Sequence, residues 1–213
     1  MDKTIKLLDQ DPIARGRMRL VYAYPGDSDR LIKVIRPDVI DERWGSGQPW
    51  YKAQRRFRQY ISYMREIAEY VATYAKYGKS LPFTQKVLGL VETDMGLGLV
   101  LEAVRDQSGN LAPSLSSLVN GKKFTEEVGG ALEEFIRQIL ETDIVIADLH
   151  GGNIVYTYDD IRGNHFVMID GLGLSNILPF KTVFKSFNRR SKLRHITRLY
   201  DRLNIPMSDF KNQ

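Results

Sequence analysis

Short runs of apolar and polar residues alternate in two places in the first half of the chain. Residues 16–35 place aromatic and β-branched side chains on either side of a Pro-Gly-Asp turn at 25–27. A second pair of runs, Lys86–Glu92 and Leu97–Val104, flanks a tight turn that ends at Gly96. The pattern predicts two β-hairpins.

Elsewhere, apolar residues recur at spacings of three and four, which is the period of an amphipathic helix. A helix is predicted over residues 52–77, ending near Gly78, and another after Thr125, whose side chain is suited to capping it. Residues 180–203 form a basic helical region. The predicted apolar stripes are Phe57, Ile61, Met64, Ile67 (or Ala68), Val71 and Tyr74 in the first helix, and Leu132, Phe135, Ile136 and Ile139 in the second.

Together these elements predict an α+β protein with two lobes. Residues 1–103 would form a small N-lobe from the β-sheet and the long helix. Residues 104–213 would form a reduced helical C-lobe that carries the loops described below and a basic helical tail. A chain of 213 residues is long enough for two such lobes and too short for a further ordinary domain.

Composition narrows the classes of function. The chain has no cysteine, which excludes disulfides, thiolate zinc sites and cysteine nucleophiles. The N-terminus lacks the pattern of a signal peptide, and no run approaches the ~20 apolar residues of a membrane span. We therefore expect a soluble, cytoplasmic protein.

The net charge of +5 is concentrated in the tail, where residues 179–213 hold nine Lys or Arg and two Asp. Two interpretations stay open: a solvated helical face, or contact with an anionic substrate or membrane surface. No recognised DNA- or RNA-binding motif accompanies these charges, so a nucleic-acid partner is not expected.

Two polar loops follow apolar runs in the second half of the chain. Asp148 and Asn153 stand five apart in ADLHGGN, the spacing of the kinase catalytic loop, where the Asp accepts the substrate proton and the Asn binds magnesium. Asp170 follows an apolar strand and precedes Gly171, like the metal-binding Asp of D-F-G. His150 is expected to hydrogen-bond within its loop rather than to act in catalysis.

Upstream, Lys33 lies in a predicted strand, like the lysine that contacts the nucleotide phosphates in kinases. Its ion-pair partner would be Glu66, with Glu69 as the competing candidate. Each of these residues alone has an ordinary explanation, since strand lysines and helix glutamates usually face water. Their order along the chain favours the kinase interpretation.

Two further positions complete the predicted nucleotide site. Gly16 stands where the phosphate-covering loop belongs, and the neighbouring Arg17 and Arg19 suggest that guanidinium groups replace backbone N–H groups there. The backbone of Glu102 and Val104 would form the hinge that pairs with adenine.

At this point the sequence resembles the PhoP regulatory network protein YrbL family, which has a protein-kinase-like fold. The residues that carry the resemblance are 16–35, 65–67 and 89–104, with Asn153, Ile154 and Asp170. The resemblance at residues 65–67, which include Glu66, favours Glu66 over Glu69 as the ion-pair partner of Lys33. The ADLHGGN loop also resembles that of aminoglycoside phosphotransferases and of lipopolysaccharide sugar kinases, which phosphorylate small molecules or glycans.

The sequence departs from protein kinases at three points. Ile146 and Ala147 replace the His and Arg of H-R-D, Gly171 replaces the Phe of D-F-G, and no A-P-E follows. We therefore predict an ATP- and Mg-dependent phosphotransferase acting on a small molecule or glycan, including anionic or lipid-linked sugars. Because some YrbL relatives lack the catalytic Asp, a nucleotide-binding pseudokinase that acts as a regulatory interaction module is the alternative.

Overall fold

The computed structural model describes residues 4–45, 47, 56–173 and 185–207. The chain divides into two compact units, one formed by Met1–Ile67 with Lys86–Ala103 and the other by Ala68–Gln85 with Val104–Gln213. The first is rich in β-strands and the second is mainly helical. The predicted α+β class is confirmed.

The first unit is built on a five-stranded antiparallel sheet. Its strands lie in the order β1-β2-β3-β5-β4, so β3 is central and β4 is an edge. Both predicted hairpins are present, because β2 pairs with β3 and β4 with β5. The strands are β1 (Ala14–Arg15), β2 (Arg19–Tyr24), β3 (Asp27–Ile35), β4 (Val87–Thr93) and β5 (Gly96–Glu102).

Helix α1 (Pro37–Trp44) follows the sheet's central strand, and helix α2 (Ile61–Tyr77) begins after a 3-10 turn at Arg58–Tyr60. The prediction of one helix over 52–77 was therefore wrong at its start, since Phe57 precedes the helix. Residues 52–55 lie outside the described residues. The positive φ of +40° at Arg58 is incompatible with a continuous helix through this point.

The buried face of α2 also differs from the predicted apolar stripe. Val71 and Tyr74 are 57% and 53% exposed, whereas Glu66 and Glu69 are buried. Burial of a carboxylate is tolerated only when it is paired or hydrogen-bonded. Both glutamates have such partners, as described below.

The second unit packs its helices and one hairpin around a single apolar core. Thr125 Oγ1 accepts a hydrogen bond from Val128 N at 3.4 Å and caps helix α4, whose predicted stripe is buried as expected. None of the helices in the described ranges combines the length and apolar character needed to cross a bilayer. The elements are α3 (Leu115–Asn120), α4 (Glu126–Glu141), β6 (Ile154–Asp159), β7 (Gly163–Met168) and α5 (Lys185–Leu203).

The division between the units follows the chain at Ala103–Val104 but not at residues 68–85. The sequence placed these residues in the N-lobe, whereas they group with the second unit. The reason lies in contacts of the C-terminal half of α2: Glu69 Oε1 accepts from Val145 N at 2.7 Å, and Tyr77 Oη accepts from Asp143 N at 2.9 Å.

Candidate active site

Two loops of the second unit are tied together by backbone hydrogen bonds. Ile169 N donates to Asn153 O at 2.8 Å, and Gly171 O accepts from both Ala147 N and Asp148 N, at 2.8 and 3.1 Å. Asp170 therefore lies between two residues that are each bonded to the other loop. The structure brings Asp148, Asn153 and Asp170 together in one hydrogen-bonded loop pair.

Gly171 shows why this chain has no Phe at the second position of its D-F-G-like element. Its φ is +84°, and a Cβ added there would lie 2.1 Å from Asp148 O and 3.0 Å from Asn153 Nδ2. Both the backbone conformation and the close approach require glycine. The departure from the kinase pattern is thus a condition for joining the two loops.

The side chains of the loop pair are held in different ways. Asn153 Nδ2 donates to Asp148 O at 3.1 Å, and Asp170 Oδ1 accepts from its neighbour Gly171 N at 2.6 Å. The Asp148 side chain is 61% exposed. A carboxylate on a fixed backbone, open to solvent, is accessible to an incoming hydroxyl group.

The oxygen atoms of Asn153 and Asp170 suit magnesium better than a metal that needs several protein ligands. Because the Asn153 amide nitrogen donates a hydrogen bond to Asp148 O, its amide oxygen is the atom that could bind a cation. Among the described residues, no group of three or more His, Asp or Glu side chains forms a metal cage. Magnesium is typically held by one or two carboxylates together with substrate phosphates and waters. Asn153 and Asp170 fit that pattern.

His150 hydrogen-bonds within its loop, as predicted. Its Nδ1 accepts from Gly152 N at 3.1 Å, which places the proton of the neutral ring on Nε2. That nitrogen lies 3.7 Å from Asp148 Oδ2. The imidazole thus supports the turn that carries Asp148.

In the first unit, Glu66 lies beside Lys33. Lys33 Nζ is 3.9 Å from Glu66 Oε2, and the Arg19 guanidinium contacts Glu66 Oε1. Both Lys33 and Glu66 are buried. Tyr63 Oη donates to Lys33 O at 2.8 Å, and burial raises the pKa of that phenol. Glu66, not Glu69, is the neighbour of Lys33, while the role of both in nucleotide binding stays a prediction.

Gly16 lies in the turn between β1 and β2, where its N–H donates to Arg19 O at 2.8 Å. Arg36 Nη1 donates to the carbonyls of Gly16 and Arg17, both at 3.2 Å, and so fixes the turn from its own strand end. Since the Arg19 guanidinium contacts Glu66, Arg19 belongs to the charge cluster of Glu66 and Lys33 in this structure.

Some backbone groups of the predicted hinge already form hydrogen bonds within the protein. Glu102 N donates to Lys86 O at 3.1 Å, and Ala103 N donates to Asp29 O at 2.8 Å. Val104 O accepts from Ala112 N at 3.0 Å. These backbone groups are therefore already satisfied, and a role of Glu102 and Val104 toward adenine stays a prediction.

Sequence reasoning missed the residues that hold the segment 142–145, which leads into the Asp148 loop. Asn188 Nδ2 donates to Asp143 O and Ile144 O at 2.9 and 3.1 Å, and Lys192 Nζ donates to Ile139 O at 2.8 Å and to Thr142 O. Both side chains are buried. The signal in the sequence was that Asn188, Lys192 and Ile196 are spaced four apart in succession, which places the two polar residues on the apolar face of the helix.

Burial shifts the titration of two groups around this segment. It lowers the pKa of Lys192 to about 8, although the nearby Glu69 charge acts in the opposite direction. It also raises the pKa of the Glu69 carboxyl, and the hydrogen bond from Val145 and the Lys192 charge oppose that rise. Two buried side chains, Glu69 of α2 and Lys192 of α5, thus hydrogen-bond backbone groups in and next to the segment.

Comparison with known proteins agrees with the family resemblance of the sequence. YrbL from Escherichia coli strain K12 and YrbL from Shigella flexneri are each 25% identical over 183 residues, covering 84% of this chain and 78% of theirs. A double mutant of the PknI kinase domain from Mycobacterium tuberculosis aligns with a TM-score of 0.45 and 16% identity, over 75% of this chain and 58% of that one. The family model of the PhoP regulatory network protein YrbL matches residues 5–204. The chain belongs to this family.

Proposed function

We propose that the chain is an ATP- and magnesium-dependent phosphotransferase that phosphorylates an alcohol group of a small molecule or glycan. The observation that carries the proposal is the hydrogen-bonded loop pair of the second unit, which holds Asp148, Asn153 and Asp170 together. Phosphoryl transfer requires mainly positioned charges, a metal and an oriented hydroxyl, and little covalent chemistry from the protein. Asp148, Asn153 and Asp170 are sufficient to bind the metal and to orient the hydroxyl.

Each residue has a separate role in this proposal. Asp148 orients the acceptor hydroxyl and takes its proton, while Asn153 Oδ1 and Asp170 bind the metal. Magnesium bound there would neutralise charge on the transferred phosphate. Lys33 contacts the α- and β-phosphates and Glu66 holds its ammonium group. Gly16 belongs to the turn that covers the phosphates, and Glu102 and Val104 flank adenine.

The acceptor is inferred to be small rather than a peptide. No A-P-E motif follows the Asp170 loop, and Asp148 carries no preceding Arg to read an activation-loop phosphate. The open position of the Asp148 carboxylate, 61% exposed, suits an acceptor that approaches from solvent. ATP as donor fits a cytoplasmic location.

A pseudokinase is the second candidate, and one observation favours it. Lys33 Nζ lies 3.9 Å from Glu66, longer than a charge-assisted hydrogen bond, and Arg19 occupies the other oxygen of the same carboxylate. Glu66 is thus shared between Lys33 and Arg19 instead of being dedicated to Lys33. Such a protein would bind nucleotide and act as a regulatory module without turnover.

The test combines ATP turnover with calorimetric ATP titration in the presence of magnesium, for wild type, Asp148→Ala and Asp170→Ala. Turnover is measured as ADP release in buffer and with a panel of hexoses and amino sugars. Turnover lost in both variants, with ATP binding retained in Asp148→Ala, supports the phosphotransferase. Binding without turnover in wild type supports the pseudokinase, and absence of ATP binding contradicts both.

A further inference from the structure

Helix α5 presents a row of four arginines on its outer side. Arg190, Arg194, Arg198 and Arg202 are all exposed and stand four residues apart. At a rise of about 1.5 Å per residue, this arginine row extends over about 18 Å of helix surface. The spacing places successive guanidinium groups on one face, because residues four apart are neighbours on a helix.

The arginine row has no hydrogen-bond or ion-pair partner among the residues that the structure describes. One carboxylate, Asp201, is exposed beside Arg202 and forms no ion pair there. Arg137 on α4 shows the ordinary arrangement, since its guanidinium is flanked by Glu134 and Glu141 at 2.6 Å each. Like charges four apart destabilise a helix, and the row contains three such pairs. The described part of the chain therefore leaves this repulsion uncompensated.

The opposite face of α5 fixes the outward direction of the row. Asn188, Lys192, Ile196, Leu199 and Tyr200 are buried in the second unit. The polar pair among them hydrogen-bonds backbone carbonyls, and the apolar three belong to the core. The helix thus cannot turn the arginines inward without losing these contacts.

We propose that the arginine row is a docking surface for an anionic phospholipid bilayer. Charge complementarity carries the proposal, because each Lys or Arg near such a surface adds to the attraction and the sum of four is substantial. A straight row on one helix face suits a flat partner. Phe187, 59% exposed at the N-terminal end of the row, adds an apolar side chain of the kind that inserts at a membrane interface.

A nucleic acid is the competing anionic partner, and the described surroundings of the row favour it less. Thr197, beside the middle of the row, uses its Oγ1 to donate to Leu193 O at 3.1 Å. Base reading needs amide or hydroxyl side chains that are available to base edges. The inference is independent of the proposed phosphotransferase activity.

The experiment is co-sedimentation of the whole chain with vesicles of phosphatidylcholine alone or mixed with phosphatidylglycerol. We expect binding only to the mixed vesicles, with affinity falling steeply from low to physiological salt. The variant R190E/R194E/R198E should bind at least about tenfold more weakly. The matched control K6E/K79E/K123E makes the same charge change at exposed lysines elsewhere and should bind within about twofold of wild type.

Three results would overturn the proposal: no binding to the mixed vesicles, equal losses in the two triple variants, or tighter binding to a labelled RNA or DNA duplex than to the vesicles. Circular dichroism of every variant checks the fold. If the glutamate variant unfolds, R190Q/R194Q/R198Q replaces it, since removing like charges relieves repulsion along the helix. This variant should also lose binding, and retained binding would contradict the proposal.

Discussion

Glu66 contacts two cations through its two carboxylate oxygens, Arg19 at Oε1 and Lys33 at Oε2. All three side chains are mostly withdrawn from water, with 14%, 7% and 9% exposure for Arg19, Lys33 and Glu66. Removing one partner of a buried ion pair leaves uncompensated charge and costs about 3–5 kcal/mol. Here the loss would remove a contact from each of two cations.

We therefore expect Glu66→Ala to lower the free energy of unfolding by about 3 kcal/mol or more, measured by urea denaturation. Glu92→Ala is the matched control, because Glu92 is exposed on the edge strand β4 and its loss should change stability by less than about 0.5 kcal/mol. Equal effects of the two substitutions would show that the Glu66 cluster does not stabilise the first unit.

Gly171 offers a second prediction at a single residue. Gly171→Ala should abolish ATP turnover and lower the melting temperature, because its Cβ would lie 2.1 Å from Asp148 O. Gly163→Ala is the control: φ at Gly163 is also positive, +67°, but a Cβ there meets nothing within 4 Å. The control separates the cost of the backbone conformation, of order 1–2 kcal/mol, from the clash. If both variants behave alike, the close approach to Asp148 is not essential.

Single residues also show the limit of sequence reasoning. The types and spacing of Asp148, Asn153 and Asp170 match a known chemical requirement and led to the prediction of their roles, which stays a prediction. For Asn188 and Lys192 the spacing of four with Ile196 was a weak signal, because a polar residue in a basic helix is usually exposed. Only the positions of the carbonyls of residues 139–144 show why these two are buried.

Among the elements, hairpins and the α4 stripe followed from the sequence, whereas the buried face of α2 did not. Periodicity locates a helix by its apolar residues, and in α4 those residues are the buried ones. In α2 the inward positions include two glutamates whose partners come from distant parts of the sequence, Lys33 and Val145. A pattern that counts only apolar residues cannot detect these glutamates, so Val71 and Tyr74 were wrongly predicted to lie on the buried face.

The contact of α5 with the segment 142–145 predicts a dependence of stability on pH. Burial lowers the pKa of Lys192 from 10.5 to about 8. Between these values the unfolded chain binds more protons than the folded chain, so the free energy of unfolding rises with pH across this window. Below about pH 8 both states are protonated and the fold bears the full cost of the buried charge.

The measurement is urea denaturation of wild type and Lys192→Met at several pH values across this window. The difference in unfolding free energy should shift in favour of wild type as the pH rises from about 8 to 10.5. In Glu69→Gln the same rise should begin at a lower pH, because the Glu69 charge raises the pKa of Lys192. A difference that is constant with pH would show that Lys192 titrates like an exposed lysine.

For the whole molecule, the presence of a β-rich part and a helical part could be predicted from the sequence. The residues that belong to each unit could not all be predicted. The chain passes from the β-rich unit to the helical unit after Ile67, returns at Lys86 and passes again at Ala103–Val104. Residues 68–85 group with the second unit because α2 contacts the segment before Asp148. Such a long-range contact is invisible to a linear reading of composition and periodicity.

At the same scale, the proposed function requires that the nucleotide and the metal bind together. If Asn153 and Asp170 hold magnesium against the phosphates, the metal should strengthen ATP binding, and loss of either ligand should remove that gain. The most direct measurement is calorimetric titration of ATP with and without magnesium, for wild type, Asn153→Ala and Asp170→Ala. We expect binding that is at least about tenfold tighter with magnesium in wild type and unchanged by magnesium in Asp170→Ala. No ATP binding in wild type, or the same magnesium effect in Asp170→Ala, would contradict the proposed nucleotide and metal site.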